Sequence, residues 1–405
     1  MKPLHVIVAG GGAAGYFAAI ACAERNPGAR VTICEATARP LAKVRIAGGG
    51  RCNLTHACFD PDELTRHFPR GGRELRGPFH RWGPRDTVAW FAARGVAVKT
   101  EEDGRMFPVT DDSATVVDCL TRAAAAAGVI VRPRCGVRSA RAGFTVELTT
   151  GETVACDRLL LATGGGAAGA GLAIARGLGH PVAPPVPSLF TFHVEDPRLA
   201  GLAVVSVGHV EVAVPAARLR ERGPLLITHW GLSGPAILKL SAWGARPLHD
   251  YGYRFGLVVN WVAPQGIEEV GTGLVQMRAE WPRRQAAARA PFGLPLRLWE
   301  RLTTAAGLAP ATPWTSVSNE VLRALATQLT HGSFAVAGKS LFKEEFVTCG
   351  GVRLDEVDFQ TMASRRCPGL HFAGEILDLD GVTGGFNLQS AWTTGWLAGQ
   401  AMADG

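Results

Sequence analysis

Apolar runs broken by glycine divide this chain into distinct textures, and the first is the clearest. His5–Ala9 is a continuous apolar run that meets a glycine cluster at Gly10. Small and apolar residues then fill Ala13–Arg25, Pro27-Gly28 makes a turn, and residues 31–34 form a β-branched run ending at Glu35. This pattern predicts β-α-β. From about 60 to 125 the pattern is helical, with one helix over 86–94 and another over 116–127 after the Asp111-Asp112-Ser113 cap. Short strands are expected at 130–132, 144–149 and 158–162.

Near Pro184-Pro185 the texture changes. From about 189 to 262 the chain is strand-like and turn-punctuated, as in HVEVAV and FGLVVNW. From about 264 to 330 it is helical, in three pieces broken by Pro282, Pro291, Pro295 and the prolines of 310–313. From Phe346 short strands and glycines return, and a last helix starts near Asn387. The expected fold is α/β: a Rossmann-type dinucleotide-binding domain interrupted by a β-barrel-like and a small helical insertion. The expected boundaries are 1–188 plus 344–405 for the dinucleotide domain, 189–262 plus 331–343 for the β-rich insertion and 263–330 for the helical one. A length of 405 residues agrees with several cores rather than one.

Four glycine-rich segments carry the chemistry. Gly10-x-Gly12-x-x-Gly15 lies between strand and helix, with Glu35 twenty positions after its last glycine. In such a turn the first glycine permits the bend, the second lets a diphosphate approach the backbone, and the third lets helix and strand pack closely. The first-turn N–H groups, at Ala13 and Ala14, face the diphosphate, and Glu35 accepts from the adenosine ribose. The second segment runs from Lys43 to Gly49-Gly50-Arg51-Cys52-Asn53-Leu54-Thr55, where bare backbone is followed by donors suited to a phosphate or a flavin edge. The third is an apolar strand ending in Ala162-Thr163-Gly164-Gly165. Gly164, Gly166 and Gly169 formally repeat the glycine fingerprint, but no acidic residue follows at the spacing a second ribose needs. The fourth runs from Gly374-Glu375 through Asp378 and Asp380 to Gly384-Gly385-Phe386-Asn387-Leu388-Gln389. There a carboxylate can hold ribityl hydroxyls, glycines let the chain pass a flat ring, and a helix start favours an anionic reduced flavin.

Taken together, the strings GGGAAG, GGGRCNLTH, EDGRMFPVTD, ATGG, THWGLSGPAILKLS, FVTCGGV and AGEILDLDGVTGGFNLQ resemble the BaiN-like (YhiN-like) NAD(P)/FAD-dependent oxidoreductase family over nearly the whole chain. The resemblance implies non-covalent FAD on a domain built from both chain ends, with Val137 beside the cofactor, and NAD(P)H as transient electron donor. It implies reduction of a C=C bond conjugated to a ketone, or oxidation of small amines with O₂. The sequence departs from the family after Ala-Thr-Gly-Gly, where GGAAGAG replaces a longer loop before Leu172.

Two residues are nominated for the reaction itself. His229, between Thr228 and the Gly231-Leu-Ser233-Gly-Pro235 turn, is either the acid that protonates the α-carbon or a structural cap of that turn. Cys52 is either a redox thiol paired with Cys58 or a packed one, the five intervening residues favouring packing. Glu101, Glu102, Asp103, Arg105, Asp111 and Asp112 read equally as a loop near the cofactor or as a charged surface turn.

Charge and cysteine usage narrow the setting. The formal charge of +7 leaves nucleic acid, membrane surface and anionic cofactor open. Arg278, Arg283, Arg284, Arg289, Arg297 and Arg301 suggest an RNA-binding face, as in an RNA-modifying flavoprotein. The interspersed glutamates favour solvated helix surface instead. Nine scattered cysteines without a Cys-x-x-Cys pair, and an N-terminus that enters a strand directly, point to reduced thiols in the cytoplasm. The expected partners are a small-molecule substrate and a nicotinamide nucleotide, with no membrane and with nucleic acid disfavoured; oligomeric state is left open.

Overall fold

The computed structural model describes residues 2–166, 169–339 and 347–404. These divide into two units: Met1–Pro187 with Lys343–Gly405, and Ser188–Phe342. The expected boundary between 343 and 344, Phe346, and Ala167-Ala168 of the shortened loop lie outside the described residues.

In the first unit, five parallel strands form the sheet that carries the glycine turns. These are β1 (His5–Ala9), β2 (Arg30–Cys34), β3 (Ile130–Arg132), β4 (Arg158–Leu161) and β5 (Leu370–Phe372), in the order β5-β4-β1-β2-β3. The short strands Val357–Asp358 and Ala363–Ser364 add antiparallel edges beyond β5. β1 lies at the centre, with Val6, Ile7, Val8 and Ala9 fully buried. This is why its sequence is a continuous apolar run rather than an alternating one.

Helices α1 (Ala13–Arg25) and α2 (Phe386–Ala403) come from opposite ends of the chain and pack together. Small residues set their separation. A Cβ at Gly395 would lie 2.6 Å from the Ala14 carbonyl oxygen, and one at Gly399 2.4 Å from that of Ala18. Beside this contact, Phe17 packs against Trp82, Trp90 and Trp392, and the buried Trp392 indole N–H donates to the Leu54 carbonyl at 3.0 Å.

The stretch expected to be helical contains helices at Pro61–Thr65, Gly72–Arg81, Pro84–Ala92 and Ser113–Ala126, the last capped by Asp112. It also holds a small antiparallel sheet of Thr55–His56, Val98–Thr100 and Arg105–Pro108. Strands of two to four residues carry too little alternation to be recognised from pattern.

The second unit has a seven-stranded antiparallel sheet among its described residues, with Ser206–Val214 and Leu219–Thr228 as its longest strands. Helices Pro235–Trp243 and Ala245–Asp250 interrupt the stretch expected to be strand-like. Pro235 occupies the first helical turn, where its missing N–H costs nothing. Helices Ile267–Glu280, Leu296–Ala305 and Asn319–Thr330 make up the helical part. No helix among the described residues is long and apolar enough to cross a membrane.

The sheet also contains a titratable group that couples stability to pH. His371, in β5, is almost completely buried, and burial pushes its imidazole down to about 4. Between that value and the unfolded value of about 6.5, the unfolded chain binds the extra proton. The folded state is therefore fully favoured above about pH 6.5 and loses this contribution as pH falls toward 4. Urea unfolding at pH 5.0 is expected to show about 2 kcal/mol less stability from this group than at pH 7.5. In His371→Gln that part of the slope should disappear; an unchanged slope would assign the acid sensitivity elsewhere.

Candidate functional site

All four glycine segments lie in the first unit and touch one another. Gly10 (φ +109°) abuts the start of the third segment: a Cβ there would lie 2.4 Å from the Ala162 carbonyl oxygen. Ala14 abuts the fourth, its Cβ 2.9 Å from where a Cβ on Gly374 would be. Lys43 of the second segment forms an ion pair with Glu375 of the fourth at 2.7 Å. Gly165 lies against Glu375 as well, with a Cβ position 2.9 Å from its carbonyl oxygen.

The glycines of this cluster divide into two kinds. At Gly10, Gly15 and Gly385 a side chain would strike backbone, at 2.4, 2.0 and 2.4 Å respectively. At Gly12, Gly49, Gly50 and Gly166 a Cβ would meet nothing within 4 Å. The first kind lets the turns pack, and the second leaves backbone facing open space. Such a bare-backbone cradle fits a diphosphate-linked dinucleotide. The N-terminus of α1 has no side-chain cap, which leaves the first-turn N–H groups for a ligand anion.

Glu35 directly follows β2 and is fixed by two backbone donors: Gly11 N–H to Oε2 and Thr37 N–H to Oε1, both at 2.7 Å. A carboxylate has about four acceptor positions, so lone pairs remain for ribose hydroxyls. Cys135 N–H donates to the Glu35 carbonyl and Arg134 N–H to that of Thr37, and Gly136 lies close to Ala36. This brings the buried Val137, at the start of strand Val137–Arg141, to the same end of the sheet as Glu35. The neighbouring Tyr16 hydroxyl is shifted upward by burial and by the Glu35 charge.

The second and fourth segments are tied through side chains. With its amide oriented to satisfy both groups, Asn53 accepts from Gly385 N–H at 2.9 Å and donates to the Thr55 carbonyl at 3.1 Å. The buried Thr55 hydroxyl donates to Gln389 Oε1 at 2.6 Å, and Gln389 Nε2 donates to Thr393 at 3.0 Å. Asn387 closes the loop ahead of α2 by exchanging two 2.8 Å bonds with Gly381. Leu388 is half-buried on the first turn of α2. Glu375 also accepts from Thr348 N–H at 2.8 Å, and Gly374 N–H donates to Thr394 at 2.9 Å.

Other nominated residues take positions of a different character. Arg51 lies 3.9 Å over the Phe107 ring and pairs with Glu101 at 2.6 Å, within the charged EDGR turn. Asp380 is fully buried in a bidentate ion pair with Arg70. Thr163 is exposed and rests against Gly171 of the helix Ala170–Gly177. Cys52 is completely buried at φ +60°, and burial pushes its thiol up to about 12, so it is protonated at neutral pH. All nine cysteines are free thiols.

His229 belongs to the second unit, exposed on the hairpin between Leu219–Thr228 and Gly231–Ser233. The turn is closed by Thr228, whose hydroxyl donates to the Gly231 carbonyl at 3.1 Å, and by Val194 N–H to the Trp230 carbonyl at 3.0 Å.

Pattern reading did not single out the ring cluster of His56, Phe386 and His67, in which the histidine centroids lie 4.7 and 4.2 Å from that of Phe386 and 5.9 Å from each other. Nor did it find Arg70 or Thr394. His56 sits inside GGGRCNLTH, but nothing in local pattern pairs it with a residue 330 positions away.

Comparison with known proteins agrees with this geometry. The chain matches the HI0933-like protein Rossmann domain over residues 4–401. It is 32% identical to the ribosomal RNA dihydrouridine synthase of Escherichia coli (strain K12), across 99% of this chain and 98% of that protein. It is 29% identical to the 3-dehydro-bile acid delta(4,6)-reductase of Clostridium scindens, across 98% of each. Among solved structures, a flavocytochrome c3 fumarate reductase in an open conformation is similar with a TM-score of 0.52 at 14% identity, over 99% of this chain and 78% of that one. At that identity the likeness is one of fold, and the fold is the Rossmann type of FAD-binding proteins.

Proposed function

The chain belongs to the HI0933-like protein Rossmann-domain family, and from that premise we propose that this FAD-dependent oxidoreductase reduces a C=C bond conjugated to a carbonyl, using NAD(P)H as electron source. The observation that supports this most is the convergence of four glycine segments from both chain ends, joined by the Lys43–Glu375 pair and the Asn53–Gly385 contact. The names of the two relatives describe one kind of chemistry. A 3-dehydro-bile acid with delta(4,6) double bonds is a conjugated ketone, and dihydrouridine is uridine reduced at the bond conjugated to its C4 carbonyl.

FAD, when bound, supplies a two-electron centre between the nicotinamide and the substrate. The chain's own residues bind and orient. The first-turn N–H groups of α1 would hold the diphosphate, Glu35 the adenosine ribose, and Glu375, paired with Lys43, would accept from ribityl hydroxyls. The N-terminus of α2 favours negative charge on the ring side. Reduction adds a hydride equivalent to the β-carbon and a proton to the α-carbon, while NAD(P)H becomes NAD(P)⁺.

His229 is the proposed proton donor, since its turn is closed by Thr228 and Val194 without the imidazole. His229→Asn is expected to slow enone turnover about 100-fold. Flavin content and the rate of flavin bleaching by NAD(P)H should stay as in the parent. An unchanged turnover would remove His229 from the reaction.

The direct test of the reading is an anaerobic absorbance titration of the yellow holoprotein with NADH and NADPH, followed by 2-cyclohexenone, a 3-oxo-4-ene steroid and a uridine-containing RNA. Bleaching by a nicotinamide and recovery with a conjugated carbonyl is the expected result. Indifference to both nicotinamides, with peroxide formed from amines in air, would overturn it in favour of an oxidase.

A further inference from the structure

We propose that a tryptophan–arginine pocket in the helical part of the second unit is a docking site for single-stranded RNA. The chain after helix Ile267–Glu280 is clipped alongside residues 312–315. Ala286 N–H donates to the Thr312 carbonyl, Trp314 N–H to that of Arg284 and Thr315 N–H to that of Pro282, each at 2.9 Å. These bonds bring together two indoles that lie 33 positions apart in the chain. The resulting hollow of about 240 Å³ is lined by Trp281, Arg284, Gln285, Ala288, Arg289 and Trp314. It is smaller than the roughly 300–1,000 Å³ of sites for drug-sized ligands, and suits one planar base.

The charge around it is unneutralised. Between 278 and 301 there are six arginines and two glutamates. Arg51, Arg70, Arg94, Arg198 and Arg366 are each held on a carboxylate, but among the described residues Arg283, Arg284 and Arg289 have no carboxylate partner. Arg289 lies 4.7 Å over the Trp281 ring, leaving its outer N–H groups free to reach a phosphate. Arg278 and Arg297 donate to backbone carbonyls, of Val317 and Gly201, and so keep their charge as well. Trp314 is buried and forms the floor of the hollow, so the half-exposed Trp281 is the indole that a base can reach. An aromatic side chain beside uncompensated guanidinium groups recognises a flat base between phosphates. Charge extending past the pocket itself favours a strand over a single free nucleotide.

This site would make RNA the carrier of the reduced double bond, and in that respect the proposal rests on the reaction assigned above. The test is fluorescence anisotropy of a labelled 12-nucleotide uridine-containing single-stranded RNA with the holoprotein, at 50 and 200 mM salt. The parent should bind and weaken about tenfold or more across that range. Trp281→Ala should lose about tenfold in affinity and Arg284→Glu/Arg289→Glu more. Turnover of 2-cyclohexenone should be unchanged in both variants, and the charge-reversal variant covers the case in which Trp281→Ala fails to fold. Failure of the parent to bind RNA, equal binding by folded variants, or displacement of RNA by micromolar AMP or NADPH at the same pocket would overturn the docking site. Pocket-dependent RNA binding without any enone or uridine reduction would support the site and count against the assigned reaction.

Discussion

Gly12→Ala is expected to fold like the parent and to lose its flavin. The backbone at Gly12 is extended (φ −88°, ψ −169°), a conformation any residue adopts, and a Cβ there would meet no protein atom within 4 Å. The cost to the fold is therefore limited to an N-cap preference, under about 1 kcal/mol. The space the methyl would occupy is the space a diphosphate needs, so FAD affinity should fall about 100-fold, or about 3 kcal/mol. Gly15→Val is the informative contrast, because its Cβ would lie 2.0 Å from the Gly10 carbonyl oxygen and 3.3 Å from a Val8 methyl. That variant should lose flavin and thermal stability together. Absorbance at 450 nm per protein after purification, fluorescence titration with FAD and a melting curve separate the two. A Gly12→Ala protein that retains FAD with parental affinity would show that the diphosphate does not lie on this turn.

Asp380→Ala should cost about 3–5 kcal/mol, the largest stability loss expected from one surface-distant polar group. Asp380 has no exposed side-chain area, and the Arg70 guanidinium that grips it in a fork is only 17% exposed. Removing the carboxylate takes both bonds of the fork from a guanidinium in a place water hardly reaches. Replacing both partners, as Arg70→Met with Asp380→Leu, should recover most of the loss, since desolvation then falls away with the charges. Urea unfolding of the three proteins measures this. If Asp380→Ala costs less than about 1 kcal/mol, the pair behaves as a surface bridge and the loop ahead of α2 is secured by the Asn387–Gly381 bonds instead.

How much of this was readable beforehand depended on the distance over which each feature is determined. The first β-α-β unit was legible within a residue because its strands are buried on both faces and its turn is built of glycine. The last helix starts at Phe386, one residue before the expected position, because Gly385 at φ +92° sets its beginning. Gly234-Pro235 is a helix-start signal, but the apolar run that follows it reads equally as part of a strand-rich stretch, so pattern alone does not separate the helix from Pro235. Gly395-x-x-x-Gly399 carried a packing signal that only makes sense once Ala14 and Ala18 are its known partners. Arg51 and Thr55 were readable as polar donors but not as groups engaged with Glu101 and Gln389, because those partners come from remote segments. Composition likewise showed six arginines without showing that two tryptophans would join them.

The central sheet places β4 and β5 side by side although some two hundred residues separate them in the chain. During synthesis, a ribosome has already made Gly12, Glu35 and Lys43 long before Glu375 and Gly385 emerge. The nascent N-terminal half therefore lacks the acids and glycines that complete its cradle, and flavin capture becomes one of the last events of biogenesis. Closure over so long a gap is slow for an unfolded tether, so early collapse of the intervening unit would shorten the effective loop and speed assembly. Pulse-labelled chains stalled before residue 370 should remain colourless and protease-sensitive in the first unit, while chains extended past α2 acquire both cofactor and resistance together.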